Sequence, residues 1–160
     1  MNRPLAFWDR LDRVGLTATI AAFVGAAVVV NGIIFAFGID QNNAGVTRLS
    51  WAPPGWAIGA IWVLLFVFYA VAHWLLRQQG EGGRRAARWV LAIVLWDLAY
   101  PLLTWGFNLT LGAWLNVVSL VLTVLLLARV RHESLAAFAW LIPSLVWVSF
   151  ATVLTFAALL

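Results

Sequence analysis

One run decides most of what this chain can become: residues 55–76 are almost wholly apolar, and Arg77 stops them. At about 1.5 Å per residue such a run is long enough to cross a bilayer core of roughly 30 Å as a helix. Pro53 and Pro54 stand just before it. Paired prolines disfavour helix upstream but suit a helix's first turn, where a missing backbone N–H costs little. The stretch 50–62, SWAPPGWAIGAIW, therefore reads as the mouth and first turns of a membrane helix, marked by Trp51, Trp56 and Trp62.

The rest of the chain repeats the pattern. Over 160 residues, 64% are hydrophobic, well above the roughly half expected of a soluble domain. The class is all-α, an integral membrane bundle of five transmembrane helices in one domain, expected at about 14–37, 55–76, 89–105, 113–128 and 135–158. Before the first span, residues 3–13 place Leu5, Trp8 and Leu11 at helical spacing among charges, which predicts a short interfacial helix. The polar connection 38–54 is the longest and reads as a lid or binding loop. Residues 77–88, RQQGEGGRRAAR, read as a flexible solvated turn, and 106–112 as a short link. Ser134 is the expected N-cap of the last helix.

All ten basic residues are arginines. Arg3, Arg10 and Arg13 precede the first span, Arg77, Arg84, Arg85 and Arg88 follow the second, and Arg129 and Arg131 follow the fourth. With five spans these clusters share one side, leaving Arg48 on the other. The positive-inside rule then puts the N-terminus in the cytoplasm, and the C-terminus and the 38–54 loop outside. The charge is a topology signal and predicts no nucleic-acid partner. Cysteine is absent, which removes disulfides, thiolate metal sites and cysteine nucleophiles. His73 and His132 have no second ligand at metal spacing and read as interfacial or solvated, so no metal site is expected. No Ser-His-Asp or paired-carboxylate arrangement is visible, which argues against hydrolysis.

Asp97 lies inside the third span. An ionisable group there costs about 2.5 to 3.5 kcal/mol on insertion scales and normally turns inward. It is either a structural acid satisfied by an indole N–H, an amide or water, or a ligand contact; alone it would also fit a small transporter using Asp97 as a proton or cation site. The eleven tryptophans divide similarly. Trp8, Trp74, Trp89 and Trp140 fall near span ends, as interfacial anchors do. Trp96, Trp105 and Trp114 read as packing, whereas Trp51, Trp62 and Trp147 are better ligand candidates. Gly55 and Gly59 form a G-x-x-x-G that permits close helix approach, expected within the monomer.

The run W-x-P-P-x-W at 51–56, followed by Gly59 and Trp62, resembles the tryptophan-rich sensory protein family, also called translocator or peripheral benzodiazepine receptor proteins. Residues 97–106, DLAYPLLTWG, are similar to the family's N-x-x-W-x-P-x-F-F-G segment, with Asp97 at the Asn, Tyr100 at the Trp and Pro101 shifted by one position. In the last span 143–156, PSLVWVSFATVLTF, resembles P-Y-L-x-W-x-x-F-A-T-x-L-N, with Ser144 replacing the Tyr and Thr155 the Asn. The resemblance implies a pocket for a tetrapyrrole such as protoporphyrin IX or haem as ligand, with no required cofactor. By motif it would be lined by Trp51, Pro54, Trp62, Phe66, Asp97, Tyr100, Trp147 and Ala151. Flat indole faces suit such a ligand. Trp62 and Trp147 match the two tryptophans that some bacterial relatives use in light-dependent porphyrin breakdown, which makes them the catalytic candidates. The resemblance also implies a homodimer in a bacterial cell membrane, although some relatives are assigned to the outer membrane. The C-terminal sterol motif of animal relatives is missing, because no basic residue follows Arg131; Arg3, Phe7 and Leu11 fit its reversed form.

Overall fold

The structure, a computed structural model, describes residues 5–38, 46, 49–104 and 109–160, with side chains from residue 15 onward. Five helices follow one another: α1 (Leu5–Phe37), α2 (Gly55–Gln78), α3 (Glu81–Leu103), α4 (Leu109–Arg131) and α5 (Leu135–Ala157). Each carries a span long and apolar enough to cross a membrane, α1 from Gly15 to Phe37, and no strand occurs among the described residues. This is an all-helical membrane bundle.

The helices form a ring in the order α1, α2, α5, α4, α3, closed by α1 against α3, and α2 also packs across the ring on α3. Consequently α2 touches three neighbours and anchors the bundle. Its N-cap, Pro54, lies in the extended region at φ −66° and ψ 151°, the conformation that proline's ring permits and that a helix entry needs. Ser134 caps α5 by accepting from the Ala137 N–H at 3.2 Å. At the other end of α1, Gly38 adopts a left-handed φ of 63°, which only glycine takes without penalty and which terminates the helix.

Several boundaries differ from the sequence-based expectation. Residues 5–13 are not a separate interfacial element: the backbone runs as one helix from Leu5 into the first span, because neither proline nor glycine interrupts the chain between Leu5 and Val14. Their side chains, including Trp8 and the Phe7 and Leu11 sterol pattern, lie outside the described residues, as do Arg3, most of the 38–54 loop with Arg48, and Trp105 to Asn108. The supposed flexible turn at 77–88 is mostly helix, since α3 already starts at Glu81. Glu81 favours the positive helix N-terminus and pairs with Arg85 one turn on at 2.8 Å. A side chain on Gly83 would collide with the Leu76 carbonyl and Gln79, so glycine there permits the tight α2–α3 corner rather than loosening it. Similarly, Leu109 to Gly112 belong to α4 and not to a link.

The bundle is close-packed at the arginine end. Ala70, Ala72, Ala86, Ala87 and Ala137 are buried among Leu76, Val90, Val130 and Leu141, and such small residues let helix backbones approach without a hydrophobic force between them. Outward faces are apolar too: Trp56, Trp89, Trp114, Leu125 and Val146 are exposed, as a helix surrounded by acyl chains requires. Arg77, Arg84, Arg85, Arg88, Arg129 and Arg131 gather at the ends and turns of α2, α3 and α4 on one side of the bundle.

Candidate functional site

Toward the opposite end the helices part around a cavity of about 480 Å³, within the range of small-molecule sites. All five helices contribute to its wall: Asn31 from α1, Trp62 and Phe66 from α2, Asp97 and Tyr100 from α3, Asn116 from α4, and Trp147, Ala151 and Thr155 from α5. Pro53 and Pro54, which begin α2, also border it. The residue pattern explains these positions. Trp62 and Phe66 are four apart on one face of α2, their rings meeting edge-on at 6.4 Å. Trp147 and Ala151 bear the same relation on α5.

Of the residues that the sequence resemblance points to, Pro54, Trp62, Phe66, Asp97, Tyr100, Trp147 and Ala151 border this one cavity. Trp51 does not. It is 48% exposed and meets Phe150 edge-on at 6.0 Å, and Phe150 in turn lies 5.5 Å from Trp147. Trp51 thus meets a neighbour of Trp147 and does not border the cavity, because it stands four residues before α2.

Asp97 is 7% exposed. The Tyr69 hydroxyl, one turn beyond Phe66, donates to its Oδ2 at 2.9 Å, and the Ser144 hydroxyl adjoins Tyr69 from α5. Ser144 itself donates back to the Leu141 carbonyl at 2.6 Å. Pro101, four residues after Asp97, lacks the N–H that would bond the Asp97 carbonyl, so the regular backbone ladder of α3 is interrupted at the cavity wall. At the helix end the Thr104 hydroxyl donates to the Tyr100 carbonyl at 3.0 Å.

A second polar group lies across the cavity. Asn116 donates to Thr155 Oγ1 at 3.2 Å, linking α4 to α5, and Tyr100 donates to the Gly112 carbonyl at 3.1 Å, linking α3 to α4. Thr155 was read from sequence only as a departure from a motif, and Asn116 and Asn31 were missed. The signal was present: Asn116, Ser119 and Thr123 repeat at helical spacing in an otherwise apolar span, and all are buried. A polar stripe in a membrane helix faces the interior. Ser119 further accepts from Trp96 Nε1 at 2.7 Å, so Trp96 packs as expected and also ties α3 to α4.

Trp147 has two distinctive properties. Its indole Nε1 is buried without a hydrogen-bond partner, a cost of about 1–3 kcal/mol. It also borders, with Pro53, both the inner cavity and an outer groove of about 580 Å³ between α2 and α5. Trp147 and Pro53 thereby stand between the interior and the outer surface of α2 and α5. Away from the cavity, His73 packs on Phe23 of α1 at 5.5 Å and its Nδ1 is buried without a partner, so it is a packing residue at least in part. Among the described residues no group of three histidine or acidic side chains is placed to hold a metal ion.

Residues 17–160 match the model of the TspO/MBR family. Among curated proteins, the chain is 28% identical to the tryptophan-rich protein TspO of Archaeoglobus fulgidus, over 89% of this chain and 93% of that one. It is 32% identical to the protein of the same name from Chlorobaculum tepidum, over 71% and 75% respectively. It is 25% identical to the uncharacterized membrane protein YtaB of Bacillus subtilis, over 88% and 94%.

Proposed function

Because this chain belongs to the TspO/MBR family of membrane proteins, we propose that its cavity binds a flat tetrapyrrole, protoporphyrin IX or haem. The observation that carries this reading is the convergence of Trp62 and Phe66 from α2 with Trp147 from α5 on one cavity. Aromatic faces and apolar walls supply contact area for a flat ring, while a few polar groups fix its orientation. Trp51, Pro54, Tyr100 and Ala151 complete the set, Trp51 by closing over Phe150. The bound ligand is received for transport, sensing or disposal, and Trp62 and Trp147 serve disposal by donating an electron to the photoexcited porphyrin.

The same reading places the arginine end in the cytoplasm, the cavity mouth on the outer side of a bacterial cell membrane, and two copies together as a homodimer. Arginine on one side is the basis for the orientation. A protoporphyrin IX titration followed by tryptophan fluorescence tests the binding: saturable quenching is expected, weakened by Trp147→Phe. Quenching no greater than that of empty detergent overturns it. Light-dependent loss of porphyrin in wild type, abolished in Trp62→Phe and Trp147→Phe with binding retained, tests the chemistry.

A further inference from the structure

Among the described residues that border the cavity, Asp97 is the sole carboxyl group and no arginine or histidine is present. Asp97 is nine-tenths buried, and its one hydrogen-bond donor among the described residues is the Tyr69 hydroxyl, which reaches Oδ2 at 2.9 Å. The remaining oxygen has no protein donor there. A carboxylate has room for about four hydrogen bonds over its two oxygens, so most of its accepting capacity is unused on a cavity wall.

The neighbouring polar groups do not relieve this. One amide N–H of Asn116 goes to Thr155 and the Tyr100 hydroxyl donates to the Gly112 carbonyl, and neither bonds Asp97. A buried carboxyl without a matching cation is costly, and pairing with an opposite charge or a strong donor is the usual relief. Among the described residues no cation supplies that pairing, which leaves a place for a ligand's donor.

We infer that Asp97 is the specificity determinant of this cavity, and that it selects flat aromatic ligands presenting a protonated amine or another N–H donor to the inner wall while rejecting those presenting a carboxylate. This rests on the cavity being the ligand site, as proposed above. It deepens that reading by fixing the orientation of a tetrapyrrole: its carboxylate side chains go toward the mouth beside Pro54, away from Asp97 on α3. Tyr69 is a positioning residue, since its hydroxyl occupies Oδ2 and leaves Oδ1 for the ligand. The tryptophans supply area and Asp97 supplies sign.

Three probes of one shape separate these effects: 2-naphthylmethylamine, 2-naphthylmethanol and 2-naphthoate, titrated calorimetrically at neutral pH into the full chain in detergent. Wild type is expected to bind the amine at least about tenfold more tightly than the alcohol, roughly 1.4 kcal/mol, and the carboxylate most weakly. In Asp97→Asn, which keeps an oxygen for Tyr69, the preference for the amine over the alcohol should fall below about threefold. Equal binding of amine and carboxylate by wild type overturns the inference without any variant, as does a preference that survives Asp97→Asn. Protoporphyrin IX titrated into the same samples keeps the two readings apart. Porphyrin binding without amine preference overturns only the role of Asp97; amine preference without porphyrin binding supports Asp97 and overturns the tetrapyrrole.

Discussion

The two halves of the bundle use the same helices to opposite ends. Near the arginines, alanines on α2, α3 and α5 bring backbones together around Leu76, Val90 and Leu141, all fully buried. Toward the other end the same helices carry Trp62, Asp97 and Trp147, and a cavity remains between them. Small side chains close a membrane bundle, since packing rather than water drives association there. Large aromatic and polar side chains hold it open. Stability therefore resides mainly in one half and recognition in the other, and substitutions should separate accordingly.

The sharpest break should come from the packed half. Gly83→Leu drives a side chain into the Leu76 carbonyl and should cost about 3 kcal/mol or more, as overpacking does. Thermal unfolding in detergent would show a large fall, with ligand binding lost only because the fold is lost. Tyr69→Phe sits at the border between the halves. It leaves Asp97 without its hydroxyl donor, and a cost of about 1–3 kcal/mol is expected. The ammonium preference should weaken in that variant without vanishing, because Asp97 remains but loses the hydroxyl that positions it.

In the hollow half the balance reverses. Trp147→Phe gives up some contact area but also removes an indole N–H that has no partner, so unfolding should move by less than about 1 kcal/mol. Porphyrin quenching should nevertheless weaken severalfold. A stability loss like that of Gly83→Leu would mean that Trp147 is a core residue and would erase the contrast. Smallest of all should be Trp114→Leu. Its ring is 59% exposed and meets Phe156 edge-on at 5.7 Å, so unfolding and binding should both stay within about 0.5 kcal/mol of wild type.

What could be read beforehand follows from the period of the signal. Membrane spans reveal themselves because a 20-residue apolar run admits few alternatives, and Asp97 because a lone acid in such a run must turn inward. Glycine at 80, 82 and 83 misled, since glycine marks both flexible turns and close approaches and only the facing backbone tells which. Asn116 was overlooked because an uncharged amide disturbs hydropathy little, although its helical spacing with Ser119 and Thr123 was already there. Trp51 shares a motif with Trp62 yet lies outside the cavity wall, because a motif fixes order along the chain and not depth in the bundle.

By itself the sequence determined five apolar spans, the gathering of arginines on one side, the helix entry at Pro54 and the cap at Ser134. These are local properties, set by the run length, backbone restriction and hydrogen-bonding capacity of neighbouring residues. Only the tertiary structure decided that α2 packs against α1, α3 and α5, that Tyr69 rather than a tryptophan donates to Asp97, and that Trp147 stands between an inner cavity and an outer groove. Those facts depend on which helix faces meet. In a membrane, where every face is apolar, that choice is made by the fit of small against large side chains and by the few polar groups that must find one another.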